Sequence, residues 1–162
     1  VIKNRLQIPV SDEVLDEDGI PLAHGKRGSR SQEFYVGSDM RKWNLALQAP
    51  LAVIDRSYLS TLAYSKCRGE ENLVRELYPE LPEPDYFIYL MLPTGTSLRR
   101  VHERQPHLTG IWCDETTLRQ TVEYYEGQWK NRDGRVFKVD ATPPLSQVCE
   151  EVIEILQKLQ SM

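Results

Sequence analysis

Three runs of apolar residues stand out from an otherwise mixed chain: Leu51–Ile54, Tyr86–Leu92 and Val136–Val139, the last interrupted only by Lys138. Unbroken runs of this length suit the strands of a parallel sheet covered on both faces. Leu6–Val10 is a weaker strand candidate, broken by Pro9, which fits a strand end. Between the strands the period changes. Leu118, Val122, Tyr125 and Trp129 recur at spacings of 4, 3 and 4, an apolar stripe along a helix. Leu145, Val148, Cys149, Val152, Leu156 and Leu159 make a second stripe that closes the chain. Leu59, Leu62 and Ala63 open a helix directly after the first strand, and Ser97–Glu103 opens another after the second. A fainter pattern predicts a helix over Ser31–Gln48.

Alternation of strand and helix implies βαβ units with right-handed crossovers. The predicted fold is therefore α/β, a three-layer α/β/α arrangement around a mostly parallel sheet. Punctuation agrees. Pro79, Pro82 and Pro84 set off the second strand, and Thr142-Pro143 is expected to open the last helix, threonine as cap and proline at its first position. Gly25–Ser31, with Lys26, Arg27 and Arg30, has the composition of a mobile basic loop. No internal repeat appears, and a single domain over residues 1–162 is expected.

Composition narrows the function classes. At 40% hydrophobic and 27% charged, the chain is ordinary globular material. Its net charge of −4 supplies no global basic field for a nucleic-acid polymer. Cys67, Cys113 and Cys149 are far apart and form no CxxC or Cys/His cluster, which favours free thiols over zinc. The longest apolar run is too short to span a bilayer, and no signal peptide is present, so a cytoplasmic location without a membrane partner is expected. The sequence opens at Val1 rather than at Met, and a start further upstream is expected.

In an open parallel sheet, ligands bind beyond the carboxyl ends of the strands. Three segments therefore matter: Asp55-Arg56-Ser57, Pro93-Thr94-Gly95-Thr96 and Asp140-Ala141-Thr142. Asp55 could hold Mg²⁺ or accept a proton from a hydroxyl, and Arg56 could clamp phosphate oxygens in a bidentate way. An Asp-Arg ion pair with Ser57 as N-cap of the next helix is the structural alternative. Arg99, Arg100 and Arg104, with His102 and His107 nearby, lead into a loop at Gln105–Gly110. Arginines on a closing loop would neutralise a transferring phosphoryl group, while a solvated helix face is the structural alternative that local evidence favours. Asp39, Arg41 and Trp43 follow Phe34 and Tyr35, a grouping that could stack a base and hold its phosphate, or simply form core aromatics and a surface charge. Of the acidic run after the weak strand, Glu13 is the carboxylate expected to face a cleft.

The stretch Val53-Ile54-Asp55-Arg56-Ser57-Tyr58-Leu59-Ser60-Thr61-Leu62-Ala63-Tyr64 resembles the strand-DR-helix motif of thymidylate kinases, with its trailing Ser/Thr-x-Ala-Tyr. It is also similar to the Glu-Arg-Ser motif of deoxynucleoside kinases. Asp85–Arg104 resembles the strand and helix that lead into an arginine-rich lid, spanning about residues 99–113, and Val136–Leu159 resembles the last strand, adenine-side loop and C-terminal helix. The resemblance implies a P-loop NTPase-like fold and an ATP- and Mg²⁺-dependent kinase of dTMP or a related nucleotide, with a homodimer possible. It implies Asp55 near the metal and the transferred group, and Arg56 on a phosphate. It further implies Arg41 and Phe34 on the acceptor, Glu13 on a neighbouring loop, Arg100 and Arg104 in the lid, and Ala141 and Thr142 beside the donor adenine. Deoxynucleoside kinase activity is the near alternative, and a non-catalytic nucleotide- or partner-binding protein the distant one. One departure is large: nothing matches the G-x-x-x-x-G-K-[ST] phosphate loop of such kinases. The resemblance begins where the helix after that loop should end. A first strand, its loop and most of a helix are accordingly expected outside this sequence.

Overall fold

The computed structural model describes residues 6, 8, 10–11, 29–81, 83–104 and 114–162. Glu13, the segment 105–113 with His107 and Cys113, and the glycine and basic residues at 25–28 lie outside the described residues. Contacts divide the chain into two compact units, Val1–Glu83 and Pro84–Met162.

In the first unit, strand β1 (Val10–Ser11) pairs in parallel with β2 (Val53–Ile54), Val10 opposite Val53 and Ser11 opposite Ile54. The run Leu51–Ile54 thus yields a ladder only over its second half. Helix α1 covers Ser29–Ala46, so the end of the expected basic loop, from Ser29 to Ser31, is helical instead. Helix α2 (Tyr58–Cys67) follows β2 directly, and its N-terminus is formed as expected: the Ser57 hydroxyl accepts from the Leu59 amide. Gly69, at φ +73°, turns the chain out of α2 in the left-handed conformation that glycine takes without steric cost.

Helix α3 (Glu71–Leu77) was not foreseen. It is seven residues long and buries only Val74, too little to produce a periodic stripe. Its readable signs were Gly69 before it, a Glu71–Arg75 pair one turn apart at 3.2 Å, and Pro79 after it. The core of this unit is built from Ile8, Val36, Tyr58, Leu59, Leu62, Ala63, Val74 and Tyr78. Tyr58 and Tyr78 meet edge to face at 6.3 Å.

The second unit holds β3 (Phe87–Met91) paired in parallel with β4 (Val136–Asp140) over five residue pairs, Phe87 opposite Val136 through Met91 opposite Asp140. Three helices complete it: α4 (Thr94–Arg104), α5 (Glu115–Trp129) and α6 (Leu145–Gln160). Val148, Val152 and Leu156 of the expected stripe, joined by Ile153, pack with Val139 of β4 into its core, whereas Leu145, which opened the stripe, is exposed. Helix α5 departs from its stripe. Its buried positions are Thr117, Thr121, Tyr124 and Trp129, whereas Val122 is exposed. The face rotates by about one residue because the Thr117 and Thr121 hydroxyls are satisfied within the helix end, by Asp114 and by the Thr117 carbonyl, so those threonines bury without an unpaired group. Trp129 anchors an aromatic cluster with Phe87, Tyr89 and Tyr125, ring centroids 5.2–5.8 Å apart.

The last helix also starts differently from expectation. Its N-cap is Pro144, with no side-chain cap. Thr142 is bound to the preceding strand instead: its amide and hydroxyl both donate to the Asp140 carboxylate. Pro143 and Pro144 carry no amide hydrogen, so a threonine cap at Thr142 would have only the Leu145 amide to accept from, whereas Asp140 offers it a carboxylate.

Candidate functional site

Two constellations form at strand ends, one in each unit. In the first, β2 ends at Ile54 and the chain turns sharply through Asp55 and Arg56. Arg56 has φ +60°, and no other described non-glycine residue has a positive φ. That conformation costs an L-residue on the order of 1–3 kcal/mol, so the surroundings must enforce it.

Lys42 of α1 reaches the backbone of this turn. Its ammonium donates to the Asp55 carbonyl and to the Arg56 carbonyl, each at 3.2 Å. Asp39, one turn earlier, lies 3.5 Å from the same nitrogen. Both residues are buried, at 7% and 6% exposure. A buried ammonium is tolerated only when its three donors are met and its charge is balanced, and here two carbonyls and one carboxylate do so. The Asp39 carboxylate is itself held by the Thr61 hydroxyl and the Tyr78 phenol, both at 2.7 Å. Burial, reinforced by the neighbouring Asp39 charge, pushes the Tyr78 phenol far above the usual tyrosine range, so it serves as a donor throughout the physiological range.

With both backbone oxygens turned to Lys42, the side chains of Asp55 and Arg56 are left at the surface, both exposed. A carboxylate and a guanidinium therefore stand side by side past the carboxyl end of a parallel strand. Elsewhere on α1, Arg41 is exposed and Phe34 is half-buried, edge to face with Tyr35 at 5.8 Å. Another buried polar residue of α1, Gln32, bonds to Glu70 and Arg68 at the α2–α3 junction and braces the base of this unit.

The second constellation lies beyond β4. Ala141 extends the ladder by one bond, its amide donating to the Met91 carbonyl at 2.8 Å. The Arg100 guanidinium of α4 donates to the Ala141 carbonyl at 2.9 Å and to the Thr142 carbonyl at 3.1 Å. Arg100, Ala141 and Thr142 are thus brought together, although the sequence assigned the first to a lid and the others to an adenine-side loop. The Thr142 hydroxyl and amide hold the Asp140 carboxyl below the usual carboxylate range, so Asp140 is an anion that stiffens this turn. Arg104 ends α4.

Sequence reasoning overlooked Lys42 altogether and placed Asp39 only as a neighbour of Arg41. Their spacing of three on a helix was a usable sign. That the pair is buried was not readable, since α1 has a weak apolar pattern. Among the described residues no group of three or more His, Cys, Asp or Glu side chains could hold a metal, and no helix is long and apolar enough to cross a membrane. Cys67 and Cys149 are free thiols.

Comparison with known proteins covers most of the chain. Residues 30–152 match the sequence model of the family described as thymidylate kinase. The chain is 32% identical over 120 residues to a probable thymidylate kinase of Archaeoglobus fulgidus, covering 72% of this chain and 59% of that protein. It is 27% identical over 112 residues to probable thymidylate kinase 1 of Saccharolobus solfataricus, covering 68% and 56%. The chain therefore spans less than two thirds of the length of these relatives. Among solved structures it superposes on deoxyadenosine kinase from M. mycoides with products dCMP and a flexible dCDP bound, at TM-score 0.72 and 20% identity over 99% of this chain and 90% of that one. The same enzyme with bound dATP gives TM-score 0.69 at 17% identity. The fold is thus the P-loop NTPase-like α/β fold of nucleoside kinases.

Proposed function

The chain belongs to the thymidylate kinase family, and we propose that it acts in phosphoryl transfer from ATP to a nucleoside monophosphate such as dTMP. The observation that carries this reading is the Asp55–Arg56 turn, an exposed carboxylate and guanidinium held past the end of β2 by a buried lysine. Phosphoryl transfer asks a protein mainly for positioned charge, because the transferring group carries its own reactivity.

In this reading Arg56 clamps a phosphate with its planar fork. Asp55 would hold Mg²⁺. A single protein carboxylate suits that ion, which keeps several waters and takes its remaining ligands from substrate phosphates. The Asp55 and Arg56 carbonyls are occupied by Lys42, so the free Asp55 carboxylate is the donor left for it. When bound, the metal would neutralise charge on the phosphate oxygens. Arg41 and Phe34 would serve the acceptor phosphate and base, and Glu13 a neighbouring loop. Ala141 and Thr142 would border the donor adenine, with Arg100 fixing their carbonyls. Arg104 would close over the phosphates with the segment up to residue 113.

The test is turnover by the native full-length chain with ATP and Mg²⁺, offered dTMP or thymidine. Phosphorylation of dTMP, lost by about a hundredfold or more in Asp55→Ala, is the expected result. Turnover of thymidine alone would replace the reading with a deoxynucleoside kinase. Nucleotide binding without turnover of either would replace it with a non-catalytic binding protein.

A further inference from the structure

We propose that Lys42 is a positioning residue that sets the backbone of the Asp55–Arg56 turn and so aims both side chains outward. The proposal rests on the functional reading above for its kinetic consequence, but not for its structural one.

Three observations carry it. The Lys42 ammonium donates to two consecutive carbonyls, those of Asp55 and Arg56. The second belongs to a residue at φ +60°, where L side chains rarely sit. The ammonium is buried, and its partners reach it from two elements: Asp39 from α1, and the turn after β2. Asp39 is fixed in turn by Thr61 of α2 and by Tyr78 after α3. Groups from α1, from α2 and from the residue that ends α3 therefore converge on holding one turn.

The chemistry explains why lysine suits the position. Two adjacent carbonyl oxygens pointing the same way repel each other, and an ammonium between them converts that repulsion into attraction. It can only do so while its charge is balanced, which is the place of Asp39. Without the cation, the hydrogen bond that draws the Arg56 carbonyl inward is lost, and the left-handed conformation should relax to an ordinary one. Relaxation would swing the Asp55 and Arg56 side chains away from their present directions. Such displacement costs catalysis much more than affinity, because reacting groups must be held within a fraction of an ångström.

The experiment compares Lys42→Met, Lys42→Arg and the charge-free pair Asp39→Asn/Lys42→Met in the native full-length chain. The pair leaves no lone buried charge and keeps the test open should Lys42→Met fail to fold. The first readout is the Cα and Cβ chemical shifts of Arg56, which report a positive φ without reference to activity. Left-handed shifts are expected in the wild type, their loss in Lys42→Met and in the pair, and substantial return in Lys42→Arg, which can still donate to both carbonyls. The second readout is kinetic: kcat should fall at least tenfold in the variants that lose the shifts, with KM for ATP changed less than threefold. Wild-type Arg56 shifts in both Lys42→Met and the pair would overturn the proposal. So would lost shifts with an unchanged kcat. A wild-type chain that transfers no phosphoryl group would sink the functional reading alone, and the shifts would still decide whether Lys42 sets the turn.

Discussion

Removing the charge of Asp39 should expose how much the buried network contributes to stability. Asp39→Asn keeps the size of the side chain and an oxygen for Thr61 and Tyr78, whose hydroxyls both approach the same carboxylate oxygen at 2.7 Å. What it removes is the negative charge 3.5 Å from the Lys42 ammonium, in a place where both side chains are 7% exposed. An uncompensated buried charge typically costs about 3–5 kcal/mol. Lys42→Met should cost about 3 kcal/mol, the lower end, because Asp39 keeps two hydroxyl donors. The double variant has no buried charge left, so its cost should fall short of the sum of the singles by about 2 kcal/mol or more. Urea unfolding followed by tryptophan fluorescence is a suitable assay, since Trp43 sits on α1 next to Lys42. With a urea dependence of about 1–3 kcal/mol per molar, each single variant should lower the midpoint by about 1–5 M. Singles that add to the double within about 0.5 kcal/mol would refute the reasoning, for then the two charges would not be sensing each other.

Three further expectations concern the rest of the molecule. Burial, with smaller contributions from Glu126 and Tyr125, pushes the Tyr89 phenol up to about 12 from an ordinary value near 10. The folded chain then holds this proton longer than the unfolded one, so the contribution is complete below about pH 10 and is lost as pH rises towards 12. Ultraviolet titration should show one phenol fewer in the late-ionising set of Tyr89→Phe, together with a shallower alkaline loss of stability. Arg100→Met should free the Ala141 and Thr142 carbonyls and raise KM for ATP about tenfold while leaving KM for dTMP within twofold; Arg119→Met, which loses only an exposed pair with Glu115, should move neither. Val122→Lys should change thermal stability by less than about 0.5 kcal/mol, whereas Leu156→Ala should cost about 2–5 kcal/mol, because the first is exposed and the second is buried at 3%.

Much of this protein was written in local pattern. The apolar runs around Ile54, Phe87–Met91 and Val136–Val139 became parallel strands, and the stripe from Val148 to Leu156 became a buried helix face. Local chemistry also located the cap at Ser57 and the charged pair at Asp55–Arg56, since a strand end followed by a capped helix needs only neighbouring residues to specify it. Other features had no local signature. Helix α3 buries one residue, so it leaves no period. The inward face of α5 was misplaced because two threonines satisfied their own hydroxyls and could turn inward in place of Leu118 and Val122.

The charge network is the clearest division between the two sources. Asp39 and Lys42 look in sequence like any surface pair one turn apart on a helix. Only folding brings Thr61 and Tyr78, 22 and 39 residues from Asp39, onto its carboxylate, and two carbonyls after β2 onto Lys42. Likewise Arg100 is one arginine among several on α4, until β4 places two carbonyls 41 and 42 residues away within its reach. Periodicity and turn chemistry depend on residues within a few positions of each other, so the sequence alone determined the elements that carry an apolar run or stripe and the charged residues at their ends, but not helix α3. A buried charge or a left-handed arginine is stable only when distant groups converge on it, and that convergence belongs to the tertiary structure.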